Sequence, residues 1–318
     1  MSIISYKSML NQIIDKVYNF KLNHENSIII GDNSSGKSEI LKSLVRLSFE
    51  KYYFIDSINR VFDSSKVIDY KHQHKNTYES ISKYRLNDNI FNIQDSFDIY
   101  GDGAGYVESI FFEYLEDLKI LIKKFLEIDI DIIEVKNGVF SVEQKIIINK
   151  HIENLSNGYQ AIIRLFLEII HVSKNKEAND ITIVVDEIDE YLSSKNKSKI
   201  IPFLKQEFSN FKWIFTTHSS EVIASSEDFN LIILKGNNYD CLDSNDFNTI
   251  TDVQEIFRKL YNEDIDENKN DTNTILRRLL SLKISNKWSE QEEKDLAAIE
   301  NKNLSNSQLL LLHQIKNW

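Results

Sequence analysis

"GDNSSGKS", residues 31–38, decides how the rest of the chain reads. An apolar run, "III" at 28–30, comes before it, and "EILKSLVRL" follows. The spacing predicts a buried strand, a tight loop and an amphipathic helix. Gly31-x-x-x-x-Gly36-Lys37-Ser38 in that setting is the phosphate-cradling pattern. Small residues at Asn33, Ser34 and Ser35 let the backbone wrap an anion with its N–H groups inward. The helix that follows adds the positive end of its dipole. Lys37 supplies a cation for the β- and γ-phosphates of ATP, and the Ser38 hydroxyl is an expected Mg²⁺ ligand.

Working outward, "ITIVVDEIDEYL" at 181–192 is a continuous β-branched strand that ends in acid. Such a run suits a sheet buried on both faces. Asp186, Glu187, Asp189 and Glu190 crowd together, and a bound cation relieves their repulsion. Asp186, at the strand's end, is the expected partner of Ser38 at Mg²⁺, and Glu187 the expected group that polarises an attacking water. Asp189 and Glu190 are read as acids of a helix's first turn. "FKWIFTTHSSEVI" at 211–223 predicts a third strand that delivers His218 to its carboxyl end, where open α/β sheets bind ligands. A neutral imidazole there donates to a γ-phosphate oxygen. "NLSNGYQAI" at 154–162 is a second small glycine turn opening a helix, predicted over 159–172. Its helix start favours an anion, and a cap by Ser156 or Asn157 uses the same N–H groups.

The order GDNSSGKS, LSNGYQ, VVDEIDE, TTHS resembles that of ABC-type ATPase heads. "DEIDEYL" and "TTHS" look like the forms found in OLD-like and SMC-like ATPases. The resemblance spans roughly residues 10–260 by motif order, with firm motifs at those places. It implies an α/β P-loop NTPase head and ATP hydrolysis. It also implies that Ser156, Asn157 and Gly158 cap the γ-phosphate held by a second copy's loop, in a two-fold dimer around two ATP molecules. Close relatives of this type belong to bacterial anti-phage or DNA-repair systems. The family's Q-loop glutamine has no clear counterpart; Gln94 is a candidate, though a surface glutamine is the better reading. OLD-like proteins often carry a Toprim nuclease, yet no carboxylate cluster of two-metal type reads out of the residues after "LIILK". That motivates a separate effector protein, a nuclease or a toxin.

The remaining composition narrows the setting. The net charge of −11 disfavours nucleic-acid binding through the overall field. The best basic strip is Lys66, Lys71, His72, His74, Lys75, Lys83 and Arg85, read as a solvated face. The single cysteine, Cys241, excludes an internal disulfide and a cysteine zinc site. No signal-peptide core or membrane-length apolar run reads out, so a cytoplasmic protein without membrane contact is expected.

The expected organisation is a head over 1–250, with a helical lid insertion at about 55–150, and a C-terminal helical segment over 251–318. Within the insertion, residues 107–125 repeat apolar side chains at helical spacing, enough for roughly five turns. "YGDGAGY" before them reads as a hinge. Asn137-Gly138 between "DIIEV" and "VFSVE" predicts a hairpin, and Gly236 a turn. The segment 304–315 echoes in letters LSNGYQ, which the resemblance makes the family's signature turn, but lacks its glycine, and reads as a core or dimer-contact helix. Besides the ATP-driven switch, a DNA-repair or DNA-end clamp and a slowly hydrolysing ATP-bound scaffold stay open; a transporter ATPase ranks last.

Overall fold

A computed structural model describes residues 6–57, 60–67, 77–86, 97, 107–137, 141–149, 151–152, 155–174, 180–247 and 249–260. In the C-terminal part it describes 272, 275–276, 279–280, 283, 288–300, 304, 309, 312–313 and 315–316. The chain divides into two compact units, 1–260 and 261–318.

The first unit begins with α1 (Tyr6–Tyr18), β1 (Asn26–Ile30), α2 (Lys37–Leu47) and β2 (Tyr52–Ile55). The insertion follows with α3 (Tyr78–Arg85), α4 (Leu115–Leu126), β3 (Ile130–Asn137), β4 (Ser141–Ile148) and β5 (His151–Ile152). The chain then runs α5 (Asn157–Lys174), β6 (Thr182–Val185), α6 (Ser194–Glu207), β7 (Lys212–Thr216), α7 (Ser220–Ala224), β8 (Phe229–Lys235), β9 (Asn238–Asp243) and α8 (Ile250–Leu260). The main sheet has six strands in the order β2-β6-β7-β1-β8-β9. All its pairs are parallel except β8 with β9, which close a hairpin across Gly236 at φ 57°.

Alternation along the parallel strands builds two cores. Ile29, Phe54, Val184, Ile214 and Ile232 face one side, where Ile13 of α1 and Leu44 of α2 cover them. Ile28, Tyr53, Ile183, Phe215 and Leu231 face the other, under α4, α5 and α6. Apolar side chains on both faces explain the continuous β-branched runs. Parallel pairing also sets the site. The carboxyl ends of β1, β2, β6 and β7 lie at one edge, so Gly31, Asp56, Asp186 and Thr217 emerge together.

Several expectations change in detail. The helix expected over 107–125 is a 3₁₀ turn, Val107–Ile110, followed by the shorter α4. Its first part is drawn into the core instead, where Val107, Ile110 and Phe111 are fully buried and Glu108 accepts from the Asp63 N–H at 2.5 Å. The strands expected on either side of Asn137-Gly138 pair as β3 and β4, and β5 extends them into an antiparallel sheet within the insertion. Helix α4 packs into the main core, with Phe125 against Phe166 of α5 at 5.5 Å between ring centres. Helix α8 belongs to the first unit rather than to the C-terminal segment, with Val253 buried in the same core as Phe229. Arg85 leaves the expected basic strip, since its side chain is buried against Glu168 at 2.8 Å. Lys66 and Lys83 pair with Asp63 and Glu79. Lys71, His72, His74, Lys75, Gln94, Gly138 and the glycines of "YGDGAGY" lie outside the described residues.

In the second unit α9 (Glu290–Glu300) begins after Ser289, whose N–H donates to Glu292 Oε2 at 3.0 Å, one of the two bonds of a capping box. Leu276, Leu279, Leu296, Ile299, Leu312 and Ile315 form a small core of its own, against which Leu304 packs, while Leu309 stands exposed.

Candidate nucleotide site

The loop after β1 has the shape its composition predicts. Gly36 adopts φ 100° and Ser34 φ 64°, both in the left-handed region. A Cβ on Gly36 would stand 2.1 Å from the Tyr6 Oη, and one on Gly31 2.5 Å from Ser35 Oγ. Gly31 is required for space, since a Cβ there would also stand 2.9 Å from Leu234 Cβ, and Gly36 for its backbone conformation. Lys37, the first residue of α2, folds its ammonium onto the loop, donating to the carbonyls of Gly31 at 2.8 Å and Asp32 at 2.9 Å. Burial lowers its pKa, while Glu187, Asp186 and Asp32 pull it back up. Asn33 and Ser34 stand exposed along the rim. The Ser35 Oγ is buried without a hydrogen-bond partner. An orphaned hydroxyl, a cation resting on carbonyls and a glycine cradle fit a bound polyphosphate.

Two strands away in the sheet, Asp186 meets the loop. Ser38 Oγ donates to Asp186 Oδ2 at 2.7 Å, although the residues are 148 positions apart in sequence. These are the expected Mg²⁺ ligands, already side by side. Among the described residues no cluster of three His, Cys, Asp or Glu offers a complete metal site, so phosphate and water oxygens would complete the shell. Such an ion supplies charge neutralisation on the phosphates.

Thr216, at the end of β7, orients the acidic turn. Its hydroxyl donates to Asp186 Oδ1 at 2.6 Å and accepts from the Glu187 N–H at 2.7 Å. That second bond holds Glu187 at φ 51°, a left-handed conformation that costs a non-glycine residue energy. Burial first, then the charge of Asp186, raises the Glu187 pKa. The residues after β6 form turns, not the helix start expected for Asp189 and Glu190. Asp189 instead accepts from Thr217 Oγ1 at 2.6 Å and pairs with Lys197 at 3.3 Å. Thr217 also accepts from the Ser219 N–H at 3.0 Å, which shapes the turn carrying the exposed His218. Partial burial and the Lys37 charge lower the His218 pKa, which favours a neutral imidazole.

Sequence reading took "TTHS" as a motif but did not single out Thr216; the signal was its place as the last residue of a strand beside β6. Replacing Thr216 with Val removes both bonds at nearly constant volume. Expected results are a loss of about 1–3 kcal/mol in urea unfolding and about tenfold slower ATP hydrolysis. Nucleotide affinity should change little.

The turn at 156–158 heads α5, which starts two residues earlier than expected. Ser156 caps it, accepting from the Tyr159 N–H at 3.3 Å, and Gln160 Nε2 donates to the Leu155 carbonyl at 2.9 Å. Ser156 and Asn157 are exposed. Gly158 stands against the acidic turn: a Cβ there would come 3.0 Å from the Tyr191 carbonyl.

A mostly parallel sheet that brings Ser38 to Asp186 across an intervening strand, with LSNGYQ heading its own helix, is an α/β P-loop NTPase fold similar to those of ABC ATPase and SMC heads. No protein-family model matches the chain. Over 71 residues it is 38% identical to the Septu protein PtuA of Bacillus mycoides (strain KBAB4), which is 21% of this chain and 10% of that protein. A dimeric post-hydrolysis ATP-binding cassette bound to ADP and Pi is 20% identical, covering 69% of this chain and 86% of that one, at a TM-score of 0.33. A Smc head bound to the C-terminal winged-helix domain of ScpA is 17% identical over 42% of this chain and 44% of its own, at a TM-score of 0.30. Overlaps this loose leave the fold assignment to the sheet order and the loop themselves. No described helix is long and apolar enough to cross a membrane.

Proposed function

We propose that this protein binds and hydrolyses ATP, closes into a dimer around two ATP molecules, and thereby switches a separate effector protein on or off. The observation that carries the reading is the 2.7 Å contact between Ser38 and Asp186 at the sheet edge that also holds Lys37. In this reading the loop at 31–38 binds the phosphates and Ser38 and Asp186 hold Mg²⁺. Glu187 accepts the hydrogen bond of the attacking water, and neutral His218 donates to a γ-phosphate oxygen. The exposed start of α5 then serves the γ-phosphate bound by a second copy. The setting we assign is cytoplasmic anti-phage defence, which the motif resemblance implies and the local match to a Septu protein supports. The effector would be a nuclease or toxin on another chain.

Solution mass tests the closure. Glu187→Gln with Mg²⁺ should double its mass when ATP is added, and adding Ser156→Arg should abolish the doubling while each copy still binds ATP. Ser156→Arg also removes a helix cap, at a cost of about 1 kcal/mol, so unfolding must show that the fold persists. An unchanged mass in a variant that binds ATP sinks the dimer reading.

A further inference from the structure

Behind the acidic turn lies a group of buried charges that the ATP reading does not use. Glu168, on α5, is fully buried. Its Oε1 accepts from Arg164 Nε at 3.0 Å, one helical turn away, and its Oε2 pairs with Arg85 Nη1 at 2.8 Å. Tyr53 of β2 donates to Oε2 at 2.9 Å. Arg164 also holds the Val61 carbonyl at 3.1 Å. Arg60, next to Val61, is 4% exposed and donates from Nη2 to the Asp186 carbonyl at 2.9 Å, while its Nε is buried without a partner. Asp56, just past β2, lies 3.9 Å from Arg85.

These contacts join three elements that the function needs to coordinate. Glu168 and Arg164 belong to the helix that the signature turn opens. Tyr53 and Asp56 belong to the strand paired with β6. Arg60 holds the peptide of the acid that meets Ser38. Among the described residues Arg85 and Arg164 pair with Glu168, and Arg85 also lies near Asp56. Buried pairs seldom add net stability compared with apolar packing, which makes a positional role the better account of so many charges here. Helix α5 also carries polar contacts near its end, His171 with Tyr114 and Lys174 with Asp117, but the ion-pair and carbonyl contacts of Glu168 and Arg164 are those that tie its direction to β2 and the segment at 60–61.

We propose that Arg60 is a positioning residue for Asp186, and that Glu168 couples it to the signature helix, so that an anion engaged at the start of α5 is felt at the Mg²⁺-binding acid of the same copy. This rests on the ATP reading above.

The test uses the full chain with Arg60→Met, Glu168→Gln and both together, reading titration of a fluorescent ATP analogue in EDTA and in Mg²⁺, and steady-state kcat and KM. Arg60→Met keeps the stem and gives up one carbonyl contact, so it should fold even if Glu168→Gln, which strands buried guanidiniums, does not. Expected for Arg60→Met is unchanged affinity in EDTA, about a tenfold smaller gain on adding Mg²⁺, and about tenfold lower kcat without a matching change in KM. Combined with Glu168→Gln, the losses should not multiply. If the wild-type chain binds no ATP, the ATP reading falls and this inference with it. If wild-type binding is strengthened by Mg²⁺ and Arg60→Met behaves identically, this inference alone is overturned. Losses that multiply in the double variant overturn the coupling through Glu168.

Discussion

Glu187→Gln should slow ATP hydrolysis by about 10²–10³-fold, the usual loss on removing a general base, while ATP affinity stays within a few-fold of wild type. The structure supplies the reasons for both halves. Glu187 is half-buried beside Asp186, and its pKa is raised by that burial and by the neighbouring acid. A carboxylate held this way is a better proton acceptor than one in water. Its backbone carries the strain, at φ 51°, and the Thr216 hydroxyl that holds it takes the main-chain N–H rather than the side chain. Gln therefore fits the same conformation and removes only the basic oxygen. The neighbouring acid is a poor substitute, because Asp189 is already engaged by Thr217 and Lys197. Single-turnover phosphate release against an ATP titration separates the chemical step from binding. Rapid release by the variant would move the base to another residue.

What could be read from the chain beforehand divides by the range of the interaction. The loop, the two strand-end motifs and the turn at 156–158 are local patterns, and each lies where its own residues put it. Gly36 needs φ 100°, and Val184 and Val185 need apolar surroundings on opposite faces, whatever the rest of the chain does. The order of the strands is not local. No pattern within β6 or β1 says that β7 lies between them, yet that order decides which side chains meet at the edge. The same limit hid the Arg60 contact with Asp186, across 126 positions, and sent Arg85 to an expected solvated strip when Glu168 holds it inside. The helix expected over 107–125 begins only at Leu115 for a related reason. Helical periodicity describes which residues are apolar, but contact with a core lets them be buried in a 3₁₀ turn as well. Acids favour a helix start, which is the place the sequence predicts for Asp189 and Glu190. The positive φ of Glu187 and Tyr191 instead makes the segment a chain of turns, and Asp189 ties it to Thr217.

Lys37→Ala should remove most ATP affinity. Lys37 is 6% exposed and burial lowers its pKa, so its charge is held in a place where it is costly to keep. The carbonyls of Gly31 and Asp32 offset part of that cost, at 2.8 and 2.9 Å. Phosphate oxygens are stronger acceptors than these carbonyls, and each charge-assisted bond is worth about 1.5–3 kcal/mol. Two such bonds total roughly 3–6 kcal/mol, or about 10²–10⁴-fold in affinity. Arginine should not restore it. The bulkier guanidinium must enter a loop where even a Cβ on Gly31 would stand 2.9 Å from the Leu234 Cβ. The variant also frees the Gly31 carbonyl, which should cost about 1–3 kcal/mol of stability and no more. Calorimetric titration with ATP, beside urea unfolding of the same sample, tells the two effects apart. Near-wild-type affinity in a folded Lys37→Ala would mean that the phosphates do not lie in this loop, and the reading of residues 31–38 would have to be abandoned.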